Sequence, residues 1–165
     1  MSQLALLLDT VEKLYDAHVE LLQLADRKKD VLIQGDIKEL DRIVQEEMGY
    51  FKLLSSLEQK RLQELKFIAM QERIPEQDLT LSRLQILTRN EDEKKRMNHL
   101  NNEFPKIYQE LKEKNDLNAR LLYQSLQFVH HTMQLLYPDP QDVTYQPADA
   151  GSYGKQQTSL YDFKA

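Results

Sequence analysis

Leu4, Leu7, Val11, Leu14, His18, Leu21 and Ala25 follow one another in steps of three and four residues, and a single glycine, Gly35, separates this pattern from its restart. Such spacing lays one apolar stripe along an α-helix; a half-buried strand would alternate every second residue instead. Leu8, Tyr15 and Leu22 widen the stripe, so a helix predicted over residues 3–34 has to meet more than one neighbour. Ser2 suits its N-cap and Gly35 the left-handed position that ends it. Asp36 with Glu39 three residues on forms a capping-box start for a second helix, predicted over 36–73. Its expected seam is Ile37, Leu40, Val44, Met48, Phe51, Leu54 and Leu57, resuming after a slip in phase at Leu62, Leu65 and Ile68. With one residue between them, the two helices must fold back as a hairpin with arms about 50 Å long.

Pro75 closes the second helix, since the residue before a proline is pushed out of helical geometry. Leu79, Leu81, Leu84 and Leu87 predict a short helix over 79–89, with Thr80 as a candidate cap. Asn90 with Glu93 starts a third long helix, predicted over 91–137, with Glu91–Lys95 and Asp92–Arg96 as supporting pairs. Its stripe runs through Met97, Leu100, Phe104, Ile107 and Leu111, then Asn118, Leu121, Leu122, Leu126, Val129, Met133 and Leu136. Pro105 should bend this helix or displace its start, and Pro138 and Pro140 forbid its continuation. Residues 138–165 hold three of the five prolines and two of the four glycines and keep no period. The expectation is an all-α fold: an elongated antiparallel hairpin or bundle of three long helices plus one short helix, residues 1–137, followed by a flexible partner-binding tail, 138–165.

Composition narrows the function. Four glycines in 165 residues disfavour a turn-rich β fold. The absence of cysteine excludes disulfides and thiolate metal sites. A net charge of −5 without a basic stripe gives no footprint for nucleic acid. The longest N-terminal apolar run, Leu4 to Leu8, is too short for a membrane span, so a cytoplasmic protein is expected. No histidine has a glutamate three residues before it, and His130 and His131 point about 100° apart on a helix. No metal, cofactor or catalytic group is therefore expected, and His18 reads as a buried, hydrogen-bonded seam residue. Asn115 and Asn118 continue the seam of the last helix, either fixing register within the bundle or facing another chain.

The tail carries Leu160, Tyr161 and Phe163 near its end. Ordering residues 159–165 costs about 1–2 kcal/mol each, while burying the three apolar side chains returns about 1.5–3 kcal/mol each. The balance is near zero, so this segment needs a partner surface to dock.

The stretch "VLIQGDIKELDRIVQEEMGYFKLLSSLEQKRLQEL", the helix "NDLNARLLYQSLQFVHHTMQLL", the tyrosine-bearing "TYQPADAGSYG" and the ending "LYDFKA" together resemble the FlgN family of flagellar export chaperones. The resemblance spans nearly the whole chain. It implies a cytoplasmic, non-enzymatic chaperone of type III flagellar export that holds the hook–filament junction proteins FlgK and FlgL against premature assembly. It further implies delivery of that cargo to the cytosolic domain of the export-gate protein FlhA. Carried onto this chain, the cargo face would comprise Leu121, Leu122, Leu126, Val129 and Met133. The partner-binding tail would use Tyr145, Tyr153, Leu160, Tyr161 and Phe163. The family's tyrosine after the last helix is matched by Tyr145, although Gln146 stands where glycine is usual, and Tyr153 before Gly154 is its rival. The alternative from the residues alone is a coiled-coil structural adaptor that self-associates through the same seams.

Overall fold

The computed structural model describes residues 2–137. Their order is α1 (Gln3–Gln34), α2 (Ile37–Glu72), a 3-10 turn (Glu76–Asp78), α3 (Leu81–Leu87) and α4 (Glu91–Leu136), with no strand among the described residues. The all-α architecture of three long helices and one short one is thus observed. The segment expected to be a tail lies outside the described residues.

The caps explain where each helix begins. Ser2 Oγ accepts from the Ala5 amide at 3.0 Å, Asp36 Oδ1 from Glu39 at 3.1 Å, and Thr80 Oγ1 from Arg83 at 3.2 Å. Asn90 Oδ1 accepts from Asp92 at 2.9 Å and Glu93 at 3.4 Å. Each bond satisfies a first-turn amide that has no partner within its helix. Gly35 ends α1 at φ 74°, where a side chain would be strained. α2 ends three residues before Pro75, with Arg73 taking the left-handed position at φ 56°.

α1 is the hub. α2 runs back antiparallel to it, fixed by Lys28–Glu47 at 3.0 Å and Arg27–Glu46 at 3.5 Å. α4 runs parallel to it, from Ser2–Glu93 at one end, through Arg96 with Asp9 and Glu12, to Asn118–Ala25. Each long neighbour makes its main contact along α1.

At the base, Glu93 is buried and departs from the reciprocal capping box. Its carboxylate accepts from Ser2 Oγ at 2.8 Å and from the Thr88 hydroxyl, so one anion sits at the starts of both parallel helices. Two positive helix ends stabilise it there. Arg96 likewise abandons the expected local partner Asp92: its Nε lies 2.7 Å from Glu12 Oε1, with Asp9 on the other side. A bidentate contact to another helix gains tertiary geometry that an exposed i,i+4 pair does not. Lys94 takes Glu91 at 2.9 Å, three residues back, in place of the expected Lys95 pair.

Pro105 does not displace the start of α4, which runs unbroken through it, and one further expectation is corrected. Proline removes the donor to the Asn101 carbonyl, but both residues are exposed, so solvent can serve that carbonyl. The buried line of α2 is Ile43, Leu54, Leu57, Ile68 and Ala69, with Ile43 fully inaccessible. The expected seam residues Ile37, Met48 and Leu62 are exposed instead.

His18 lies in the core where the three long helices meet. Its Nδ1 is 2.6 Å from the Leu14 carbonyl, and its ring meets Phe104 and Tyr108 edge-on at 6.0 and 5.1 Å. Burial lowers its pKa, opposed by the Leu14 carbonyl and by Glu58 on α2. Stability from the neutral ring is therefore complete above the unfolded-state value near 6.5 and falls as pH drops below it, by at most about 1.4 kcal/mol per pH unit. On lowering the pH from 7.5 to 5.5 the wild type should lose more unfolding free energy than His18→Leu. Parallel pH profiles in urea titrations would exclude His18 as the source.

Candidate partner-binding surface

α4 has 46 residues, about 69 Å, against 32 residues and about 48 Å for α1. Asn118 is buried and donates from Nδ2 to the Ala25 carbonyl at 2.8 Å. Beyond that contact α1 has nine residues left (34 − 25) and α4 eighteen (136 − 118). α4 therefore projects about 13 Å past the hairpin. Asn118 is also the last buried residue of α4, so the register reading of this asparagine is observed.

The exposed end continues the core stripe without a change of phase. Eighteen residues make five turns, which returns a side chain to the same direction. Phe104 and Leu122 are so related, as are Tyr108 and Leu126, Leu111 and Val129, Asn115 and Met133, and Asn118 and Leu136. The first member of each pair is buried or half-buried, the second exposed. Leu126 and Val129 are 50% and 53% accessible, where their counterparts near α1 are covered. The same face thus packs on α1 along one half of α4 and is largely exposed among the described residues along the other.

The chemistry of this end is uniform. From Leu121 to Tyr137 the sequence contains no Asp, Glu, Lys or Arg. Its small polar side chains turn back on their own helix: Ser125 Oγ donates to the Leu121 carbonyl at 3.0 Å and Thr132 Oγ1 to Phe128 at 2.8 Å. Gln127 Nε2 donates to the Tyr123 hydroxyl at 2.6 Å. Glutamines and His130 and His131 share the exposed surface with a run of apolar side chains, Leu122, Leu126, Val129 and Met133 among them.

The structure brings Leu122, Leu126, Val129 and Met133 together on this exposed face, with Leu121 half-buried at its edge. Phe128, Leu135, Leu136 and Tyr137, which the sequence reading did not single out as site residues, are exposed as well. The charge-free run was the signal that includes them. Tyr145, Tyr153, Leu160, Tyr161 and Phe163 lie outside the described residues. Among the described residues no cluster of His, Asp or Glu could hold a metal ion, and no helix is long and apolar enough to cross a membrane.

A family model described as "FlgN protein" matches residues 1–151. The chain is also similar to "Uncharacterized protein YvyG" of Bacillus subtilis (strain 168), 25% identical over 161 residues, covering 96% of this chain and 97% of the relative. No solved structure matches it.

Proposed function

Since the chain belongs to the FlgN family of flagellar export chaperones, we propose that its clients are the hook–filament junction proteins FlgK and FlgL, held through the exposed apolar face of α4. The observation that carries this reading is the in-phase continuation of a core stripe onto a charge-free helix end left exposed among the described residues. Such a face suits an amphipathic helix, the form in which terminal cargo segments would present themselves. Covering it keeps the client from assembling early. Leu121, Leu122, Leu126, Val129 and Met133 form the cargo contact in this reading. The segment from residue 138 onward, with Tyr145 or Tyr153 and the Leu160, Tyr161 and Phe163 cluster, serves the cytosolic domain of FlhA.

Co-expression with FlgK and FlgL tests it. The full chain should yield a soluble complex with at least one of them. A chain ending at Tyr137 should keep its melting temperature within about 2 °C and retain cargo while losing FlhA. Failure of both cargoes to co-purify would sink the client assignment. A large loss of melting temperature on truncation would mean that the tail stabilises its own bundle.

A further inference from the structure

Lys29 is half-buried on α1, yet it forms no hydrogen bond or ion pair among the described residues. The other half-buried cations there, Lys28, Arg61, Lys94, Arg96 and Lys114, each hold a carboxylate. Asp26, three residues before Lys29, is taken by Lys114. Lys29 also lies 18 residues, five turns, beyond Val11 and so points the same way. Val11 is buried in the core. A lysine therefore stands where the α1 stripe would place an apolar residue.

Ile33 repeats the relation. It lies five turns beyond Tyr15, whose ring meets Phe104 of α4 at 5.5 Å. Five turns beyond Phe104 is Leu122. A pair that touches low in the bundle is thus followed, on the same two helices and in the same directions, by Ile33 and Leu122. Here the faces are open: Ile33 is 66% accessible and Leu122 40%. The Asn118–Ala25 bond sets the levels. Lys29 is about one turn above Ala25 and level with Leu122, and Ile33 is about two turns above it and level with Leu126. Both α1 residues therefore stand beside the charge-free end of α4 and beyond its covered part.

We propose that the last two turns of α1 hold the client together with α4, Ile33 as a further apolar contact and Lys29 as the site of a carboxylate on the client. This rests on the client reading above and adds to it the chemistry of the occupant. That occupant is an amphipathic helix, apolar where it meets Ile33, Leu122 and Leu126, with an Asp or Glu at the end nearer the bundle. Charge complementarity sets the last feature. α4 from Leu121 to Tyr137 carries no Asp, Glu, Lys or Arg, so it has no anion to give Lys29. Covering the site takes water from an ammonium that is already half-buried, and an opposite charge on the occupant offsets that cost. The aliphatic stem of the lysine continues the apolar contact beneath it.

The test uses the full chain and purified FlgK or FlgL. Ile33→Gln should weaken binding by about fivefold or more and Lys29→Glu by about tenfold or more, with melting temperature unchanged. Lys29→Arg keeps the charge and should bind as wild type. So should Lys52→Glu, an exposed residue of α2 that points away from the buried Ile43. Wild-type affinity should fall as salt rises, and that of Lys29→Ala should fall less. Normal binding by either Ile33→Gln or Lys29→Glu, while Leu126→Asp fails to bind, overturns the proposal: the client then sits on α4 alone or brings no carboxylate. A Lys29→Ala variant with the salt dependence of wild type overturns it too. If Leu126→Asp also binds normally, the client reading itself falls. If Ile33→Gln converts a wild-type dimer to monomer and leaves the client bound, a second copy covers this end of α1 and the proposal is again overturned.

Discussion

Replacing Phe104 with alanine should lower the unfolding free energy by about 3–5 kcal/mol. Phe104 is almost inaccessible and joins the helices through ring contacts: Tyr15 at 5.5 Å, His18 at 6.0 Å and Tyr108 at 5.4 Å. Truncation removes burial of the ring and leaves a cavity walled by three other rings, which cannot collapse without leaving their own partners. Pro105 follows immediately, so the backbone there is already short of one helical hydrogen bond and has less to hold it. Urea titration would read the loss as a lower midpoint at nearly constant slope, and the melting temperature should fall by about 10 °C. A change under about 1 kcal/mol would mean that α1 and α4 are not held together at this point.

The double variant Leu126→Asp with Val129→Asp should abolish client binding, by about a hundredfold or more, and leave the melting temperature within about 2 °C of wild type. Two carboxylates on an apolar contact must be desolvated without partners, and central contact positions each contribute about 2 kcal/mol or more. Both side chains are half accessible in the free protein, so folding gives up little. Titration of labelled FlgK or FlgL against the two proteins measures the difference. Equal affinity would remove α4 from the client contact. A drop in stability matching the loss in binding would show that this face packs within the chaperone.

Helix starts and stops were legible because each rests on one local interaction: Ser2, Asp36, Thr80 and Asn90 cap as their side chains require, and Gly35 turns the chain. The α1 seam was equally plain, since its apolar residues form one broad band. α2 was not, and the reason is physical. Ile43 and Val44 are neighbours and begin two apolar stripes, one through Leu54, Leu57 and Ile68, the other through Met48, Phe51 and Leu62. Periodicity counts both, and it cannot tell which of the two packs on α1. Arg96 illustrates the same limit for charge. Asp92 is its local match, yet the carboxylates that hold it come from Asp9 and Glu12. The exposed end of α4 was legible as the far end of a long stripe, whereas the exposure of Phe128 and Leu135 on its other side emerged from the structure alone.

The sequence distances around α1 set an order of assembly. Lys28 meets Glu47 across 19 residues, whereas Asn118 meets Ala25 across 93. Closing the shorter loop costs less chain entropy, and its residues leave the ribosome first. The α1–α2 hairpin can therefore pair while α4 is still being synthesised, with Tyr15 and the rest of the α4-facing side of α1 wet for that interval. α4 docks last, and its exposed end, from Leu121 on, is made after the other described helices are already in place.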